Sequence, residues 1–315
     1  MESKRNGLLE IYRFLICFWP LYFHNFFYFL MDGKTFNYAV LSVDFFFILS
    51  GVFLMKLFRK EREAPVLKGF GRVMLGRVRP MAFTMCFITA FNLACLVIFI
   101  REDYYNTIHT LFMYWWFVLF LTVGVGVLYL IYRAFRKEKP FAVFLVLLVL
   151  SVAYIHYLVI VKRSLPIKLQ FFTRTACFIP LGILISYIPP IKYKKFNPNI
   201  PFALVTGLTL LYLAYSQTSF ASAVVMVVIF CALTYFSLGI SVGGRFFDLV
   251  GKLSVRIYLY MSFVTMLYFL GLTNHRVLFV IDVSLSIMDL ILSEYKRKYK
   301  KLKSKEKAYL KAKCQ

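Results

Sequence analysis

The chain has 315 residues, 61% of them hydrophobic and 19% aromatic, with 38 Lys and Arg against 14 Asp and Glu. A soluble domain holds roughly 45–50% apolar residues, so this excess excludes a single water-soluble globule and makes lipid the solvent over much of the surface. The net charge of +24 would suggest nucleic acid in a soluble protein. In a membrane protein it reads as basic cytoplasmic loops touching anionic headgroups, and no nucleic-acid partner is expected.

A spanning helix needs about 20 apolar residues, and ten segments qualify in chain order. They are Leu8–Leu30, Ala39–Leu57, Pro80–Ile100, His109–Tyr132, Phe141–Val161, Phe171–Ile188, Pro201–Tyr215, Phe220–Leu238, Val250–Leu272 and Val277–Leu292. The first follows Lys4 and Arg5 as a signal peptide would. It is long, contains Arg13, Pro20 and His24, and lacks a small-residue cleavage site, so it reads as a retained helix. The expected fold is all-α: a polytopic membrane helix bundle of about ten transmembrane helices.

With the N-terminus inside, the inner stretches hold 29 Lys and Arg, the outer ones 6, and three (Arg13, Arg174, Arg256) fall within segments. That asymmetry places both termini in the cytoplasm. Residues 1–292 form the transmembrane domain and residues 293–315 a basic cytoplasmic tail. Phe58–Arg79 is long and basic, with no acid after Glu63, and is expected to include an amphipathic stretch on the inner leaflet. Five of the six cysteines sit in apolar runs and none forms a CxxC, so neither a disulfide framework nor a metal site is expected.

Ionisable groups inside a membrane segment cost about 2.5–3.5 kcal/mol each on insertion scales and need a reason. Arg13 and His24 are eleven residues apart, three helical turns plus about 20°, so they share a face about 16 Å apart along the axis. Arg13 sits near the cytoplasmic end, where it can hold an anion; His24 lies deeper, where a base shielded from water can work. The bland alternative is an Arg snorkelling to headgroups and a hydrogen-bonded His.

In the second segment Asp44, Ser50 and Gly51 lie in an aromatic run. Ser-Gly permits close approach of another helix, and Asp44 sits near the outer end, where solvation is the simple reading. Arg72, Arg77 and Arg79 precede Pro80 at the inner surface; they suit either phosphate binding or positive-inside anchoring.

The order of these features resembles the integral-membrane acyltransferase family 3, whose members O-acylate extracytoplasmic glycans. Arg13 and His24 match its Arg-x10-His pattern, and Val43-Asp-Phe-Phe-Phe-Ile-Leu-Ser-Gly51 resembles its Asp-x-Phe-Phe-x-x-Ser-Gly segment. Arg77-Val-Arg-Pro80 is similar to its Arg-rich, Pro-terminated stretch. Arg174 with Pro180-Leu-Gly182 is similar to its mid-chain helix, and Gly251-Lys-Leu-Ser-Val-Arg-Ile-Tyr-Leu-Tyr260 to its late Gly-x-x-Ser-x-x-Ile-Tyr-Leu segment. Three features depart: Met74 stands where the family usually has Arg, Met261 where it usually has His, and the region around Trp115 and Trp116 lacks an acidic residue often found after the aromatics.

The resemblance implies an enzyme of the bacterial cytoplasmic membrane that takes an acyl group, acetyl first, from cytoplasmic acyl-CoA to a carbohydrate hydroxyl outside. It implies catalytic roles for His24 and Arg13 and contact of Arg72, Arg77 and Arg79 with the CoA phosphates. Asp44, Ser50, Arg174, Ser254 and Tyr258 then support the substrate or the site. The implied partners are acetyl-CoA as donor, a glycan or lipid-linked carbohydrate as acceptor, and membrane lipid; no metal is expected. Two other classes fit the generic features: a transporter or flippase of a lipid-linked sugar, and a non-catalytic partner in a glycan-assembly complex.

Overall fold

The structure, a computed structural model, describes residues 7–22, 33–99, 121–135, 137–162, 167–190, 220–238, 244–269, 271–272 and 274–313. Among these residues it is all-helical, with no strand. The helices are α1 (Gly7–Tyr22), α2 (Gly33–Lys60), α3 (Val66–Phe99), α4 (Leu121–Ala134) and α5 (Glu138–Lys162). They continue as α6 (Ile167–Ile185), α7 (Phe220–Leu238), α8 (Arg245–Phe269) and α9 (His275–Lys313). The expected seventh segment, Pro201–Tyr215, lies outside the described residues.

One described helix, with its window at Glu138–Ile155, is long and apolar enough to cross a membrane. A second passes if the two parts of α3, Val66–Gly76 and Met81–Ala94, count as one span; they meet at 62°. Pro80 lies in that bend and has no backbone N–H to donate there. The remaining helices are shorter over their described apolar stretches or carry charges within them, as at Lys252, Arg256, Asp282 and Asp289. The described helices therefore establish one or two spans, fewer than the ten expected from hydropathy.

The outer surface is nonetheless apolar. On α5, Val143, Leu147, Leu150 and Tyr154 recur at helical spacing and face outward, with Leu150 62% exposed. On other helices Phe83, Leu75, Val228 and Ile291 are also exposed. Water-soluble monomers seldom expose apolar surface over so many helices. Lipid-facing helices do, because the hydrocarbon is their solvent.

Inside, α2 is the central helix. Phe45, Phe47, Ile48, Leu49, Val52 and Leu54 are buried, and the helix packs on α1, α6 and α7. Its closest neighbour is α6. A Cβ on Gly51 would stand 2.9 Å from Gly182 Cα, and one on Gly182 would stand 3.0 Å from Gly51 Cα. The two backbones meet at this glycine pair, as small residues allow at helix crossings in membranes. Pro180 is accommodated inside α6.

The α2–α6 pair is parallel: Asp44 meets Arg174 at one end and the Arg59 guanidinium lies over the Tyr187 ring at the other, 5.4 Å from its centroid. α1 runs parallel to α8, with Gly7 against Phe247 and Arg13 against Gly251. α8 and α9 are antiparallel. Their turn closes through Gly271 at φ 96° and a Leu272 N–H bond to Leu267 O, a left-handed helix stop that favours glycine. Asn274 then caps α9, its Oδ1 accepting from Arg276 N at 3.1 Å and Val277 N at 3.3 Å.

One end of the bundle is basic. Arg59 bonds Glu138 at 2.7 Å, and Arg62 lies 3.7 Å from the same carboxylate. Tyr129 and Arg133 both donate to Glu61 O, at 3.0 and 3.1 Å. The C-terminal ends of α2, α4 and α6 thus meet the N-terminal ends of α3 and α5. The two basic stretches expected on one side, Lys56–Arg79 and Arg133–Lys139, do share an end. α9 continues unbroken through the expected 292/293 domain boundary, so the basic tail extends a bundle helix.

Candidate functional site

Arg13 projects from the middle of α1. Its Nη1 donates to Glu10 Oε2 at 2.9 Å, and its Nη2 donates to Gly251 O at 3.1 Å. Glu10 is buried, and a Cβ at Gly251 would collide with its carboxylate. A glycine at 251 is therefore what lets α8 approach this ion pair. Ser254 Oγ donates to the same carbonyl at 2.8 Å, so Gly251 O accepts from two side chains. One turn further, the Tyr258 ring lies 6.0 Å from that of Phe46, joining α8 to α2.

On the opposite side of α2, Arg174 Nη2 donates to Asp44 Oδ2 at 3.0 Å. Asp44 is fully buried rather than solvated at an outer end, which corrects the simple sequence reading. The sequence could not show that α6 supplies its cation. Among the described residues, Asp44 Oδ1 and Arg174 Nε have no hydrogen-bond partner. Ser50 is half-buried beside the Gly51–Gly182 crossing.

The expected basic cluster is only partly brought together. Arg72 pairs with Glu61 at 3.0 Å and is half-exposed, and Arg79 is exposed. Arg77 lies on α3, its side chain outside the described residues, as is the whole of His24. Arg72 turns to Glu61, while Arg13 is held by Glu10, so neither matches the open anion dock expected of it. Among the described residues no group of three or more His, Cys, Asp or Glu is placed to hold a metal.

Sequence reasoning passed over four contributors. Glu10 precedes Arg13 by three residues, the spacing of an intrahelical ion pair, and that signal was available. Asp289 accepts from Thr84 Oγ1 at 2.6 Å and lies 3.2 Å from Arg256 Nε. That Arg contact is at ion-pair distance but is not aligned as a hydrogen bond. Asp282 is wholly buried on the same helix. Lys252 bridges Asp248 and Glu294, and its hydrogen bond holds the Glu294 carboxyl below its usual pKa. The heptad separation of Asp282 and Asp289 within an apolar segment was the legible clue to a buried polar face.

No family model matches the chain, and no curated protein and no solved structure is detectably similar to it.

Proposed function

We propose that this chain is a multi-pass membrane acyltransferase of the integral-membrane acyltransferase family 3 type. In this reading about ten helices span the bacterial cytoplasmic membrane, with the basic end and tail in the cytoplasm. The donor is an acyl-CoA, acetyl-CoA first, and the acceptor is a hydroxyl of an extracytoplasmic carbohydrate. One observation carries the reading. Sequence-distant segments that resemble the family's motifs are mutual neighbours: Arg13 with Gly251 and Ser254, Phe46 with Tyr258, Asp44 with Arg174, and Gly51 with Gly182.

The chemistry follows from the reactants. The acceptor oxygen forms an ester bond as the thioester C–S bond breaks, and the hydroxyl proton ends on the CoA sulfur. His24 serves as the general base for that proton or takes the acyl group transiently. Arg77 and Arg79, at the basic end, meet the donor's phosphates, and Arg72 joins them by exchanging Glu61 for a phosphate. The Glu10-paired Arg13 sets the α1–α8 geometry beside the thioester, with Ser254 and Tyr258 on the facing helix.

The test compares the surface glycans of a deletion strain complemented with wild-type protein or with His24→Ala. Wild type restores the acetyl mass increment; the variant inserts at wild-type level and does not. Full acetylation by His24→Ala removes the proposed base. Sugar translocation without acetylation would favour a transporter.

A further inference from the structure

Five carboxylates among the described residues are buried: Glu10, Asp44, Glu61, Asp282 and Asp289. Four have a cation at ion-pair distance, respectively Arg13, Arg174, Arg72 and Arg256. Among the described residues Asp282 has none. Its Oδ1 accepts from Ser286 Oγ at 3.4 Å, and its Oδ2 has no hydrogen-bond partner among them. A carboxylate carried into the bundle interior without a counter-charge is expensive, and such groups mark ion or proton paths in membrane proteins.

Asp282 also stands at the head of a polar face. Asp282, Ser286, Asp289 and Ser293 follow at spacings of four, three and four residues, so they share one side of α9. Ser286 is fully buried and Asp289 nearly so. Asp289 is joined to Thr84 of α3 and lies beside Arg256 of α8. Arg256 Nη2 donates to Ser293 Oγ at 2.8 Å. One residue on, Glu294 accepts from Lys252 at 2.8 Å, where the basic tail begins. From Asp282 to Glu294 is about 18 Å along the helix. Among the described residues, Cys17 on α1 and Tyr260 on α8 lie within electrostatic reach of Asp282; Cys17 is itself near Arg13, and Tyr260 near Arg256 and Asp289.

We propose that Asp282 is a proton-binding site inside the bundle, loaded and unloaded from the basic end along the Ser286–Asp289–Ser293 face of α9. The ligand is a proton because, among the described residues, the site offers one free carboxylate oxygen and one hydroxyl, too few donors for a metal cation. The inference stands apart from acyl transfer. Under that reading, the site gives protons a route between the buried reaction and the side where CoA leaves.

The experiment is infrared spectroscopy of the full chain in lipid nanodiscs, with no donor or acceptor present, so its outcome is independent of acyltransferase activity. Wild type should show a protonated-carboxyl C=O band that titrates reversibly with pH and shifts in D2O. Asp282→Asn should lack it, and Asp282→Glu should restore a shifted one. Ser286→Ala and Ser293→Ala should slow deuterium exchange of the band several-fold. Carbodiimide labelling, read by mass spectrometry, should modify residue 282 in wild type and not in Asp282→Asn. The proposal is overturned if Asp282→Asn removes no band. It is equally overturned if the band neither titrates nor exchanges, which would make Asp282 a sealed structural acid.

Discussion

The α2–α6 junction and the α8–α9 junction both bury charge, and they do so differently. At the first, Asp44 and Arg174 face each other at 3.0 Å, and the Gly51–Gly182 contact fixes the helices about two turns away. At the second, Asp289 is engaged by Thr84 and Arg256 while Asp282, two turns deeper, has a hydroxyl and no cation among the described residues. A buried charge with a matched partner fastens helices. A buried carboxyl without one is costly to ionise and takes up a proton instead. The first junction therefore reads as a clamp and the second as a site.

Breaking the clamp should have the largest effect. Arg174→Met leaves Asp44 uncompensated and should cost about 3–5 kcal/mol, read as loss of folded protein in a detergent-melt assay. The double change Asp44→Asn with Arg174→Met should recover most of that loss, because the uncompensated charge is gone. Next comes Gly51→Ala, whose new methyl meets α6 backbone rather than a movable side chain; about 1–3 kcal/mol is expected. Asp282→Asn sharpens the contrast. No ion pair is lost, so stability in the same melt should change by less than about 1 kcal/mol, against the larger loss at Arg174.

The smallest effect belongs to the partly exposed pair at the start of the tail. Glu294→Gln should cost about 0–1 kcal/mol. The native carboxyl is held below its unfolded value, so its contribution is present above that unfolded value, near pH 4.3. It is lost as pH falls through the lower folded value. Wild type and Glu294→Gln melts should therefore converge in acid and separate at neutral pH.

Part of this architecture is legible in the sequence. Ser50-Gly51 in an aromatic run announces a close helix approach, and Gly182 on α6 meets Gly51 there. The Lys/Arg asymmetry anticipates that Lys56–Arg79 and Arg133–Lys139 lie at one end, where Glu138 and Glu61 gather them. What was not legible is pairing across distance. Nothing near Asp44 in sequence indicates that its cation is 130 residues away on α6, so solvation looked sufficient. Arg13 looked available for an anion because Glu10 was not weighed as its partner. Asp282 and Asp289 were overlooked because an apolar segment's average conceals two acids that share one face. The span count from hydropathy exceeded what the described helices establish for a related reason: several expected spans carry internal charges that a bundle can pair but an apolar window rejects.

The most direct test of the proposed function uses membrane vesicles of both orientations carrying the full chain, supplied with radiolabelled acetyl-CoA on the outside. The account predicts free CoA release and label transfer to carbohydrate from inside-out vesicles, where the basic end faces the donor, and neither from right-side-out vesicles or from His24→Ala. Transfer from right-side-out vesicles would place the basic end outside and contradict both topology and donor site. Absence of transfer from both orientations with the carbohydrate acceptor present would contradict acyl transfer itself.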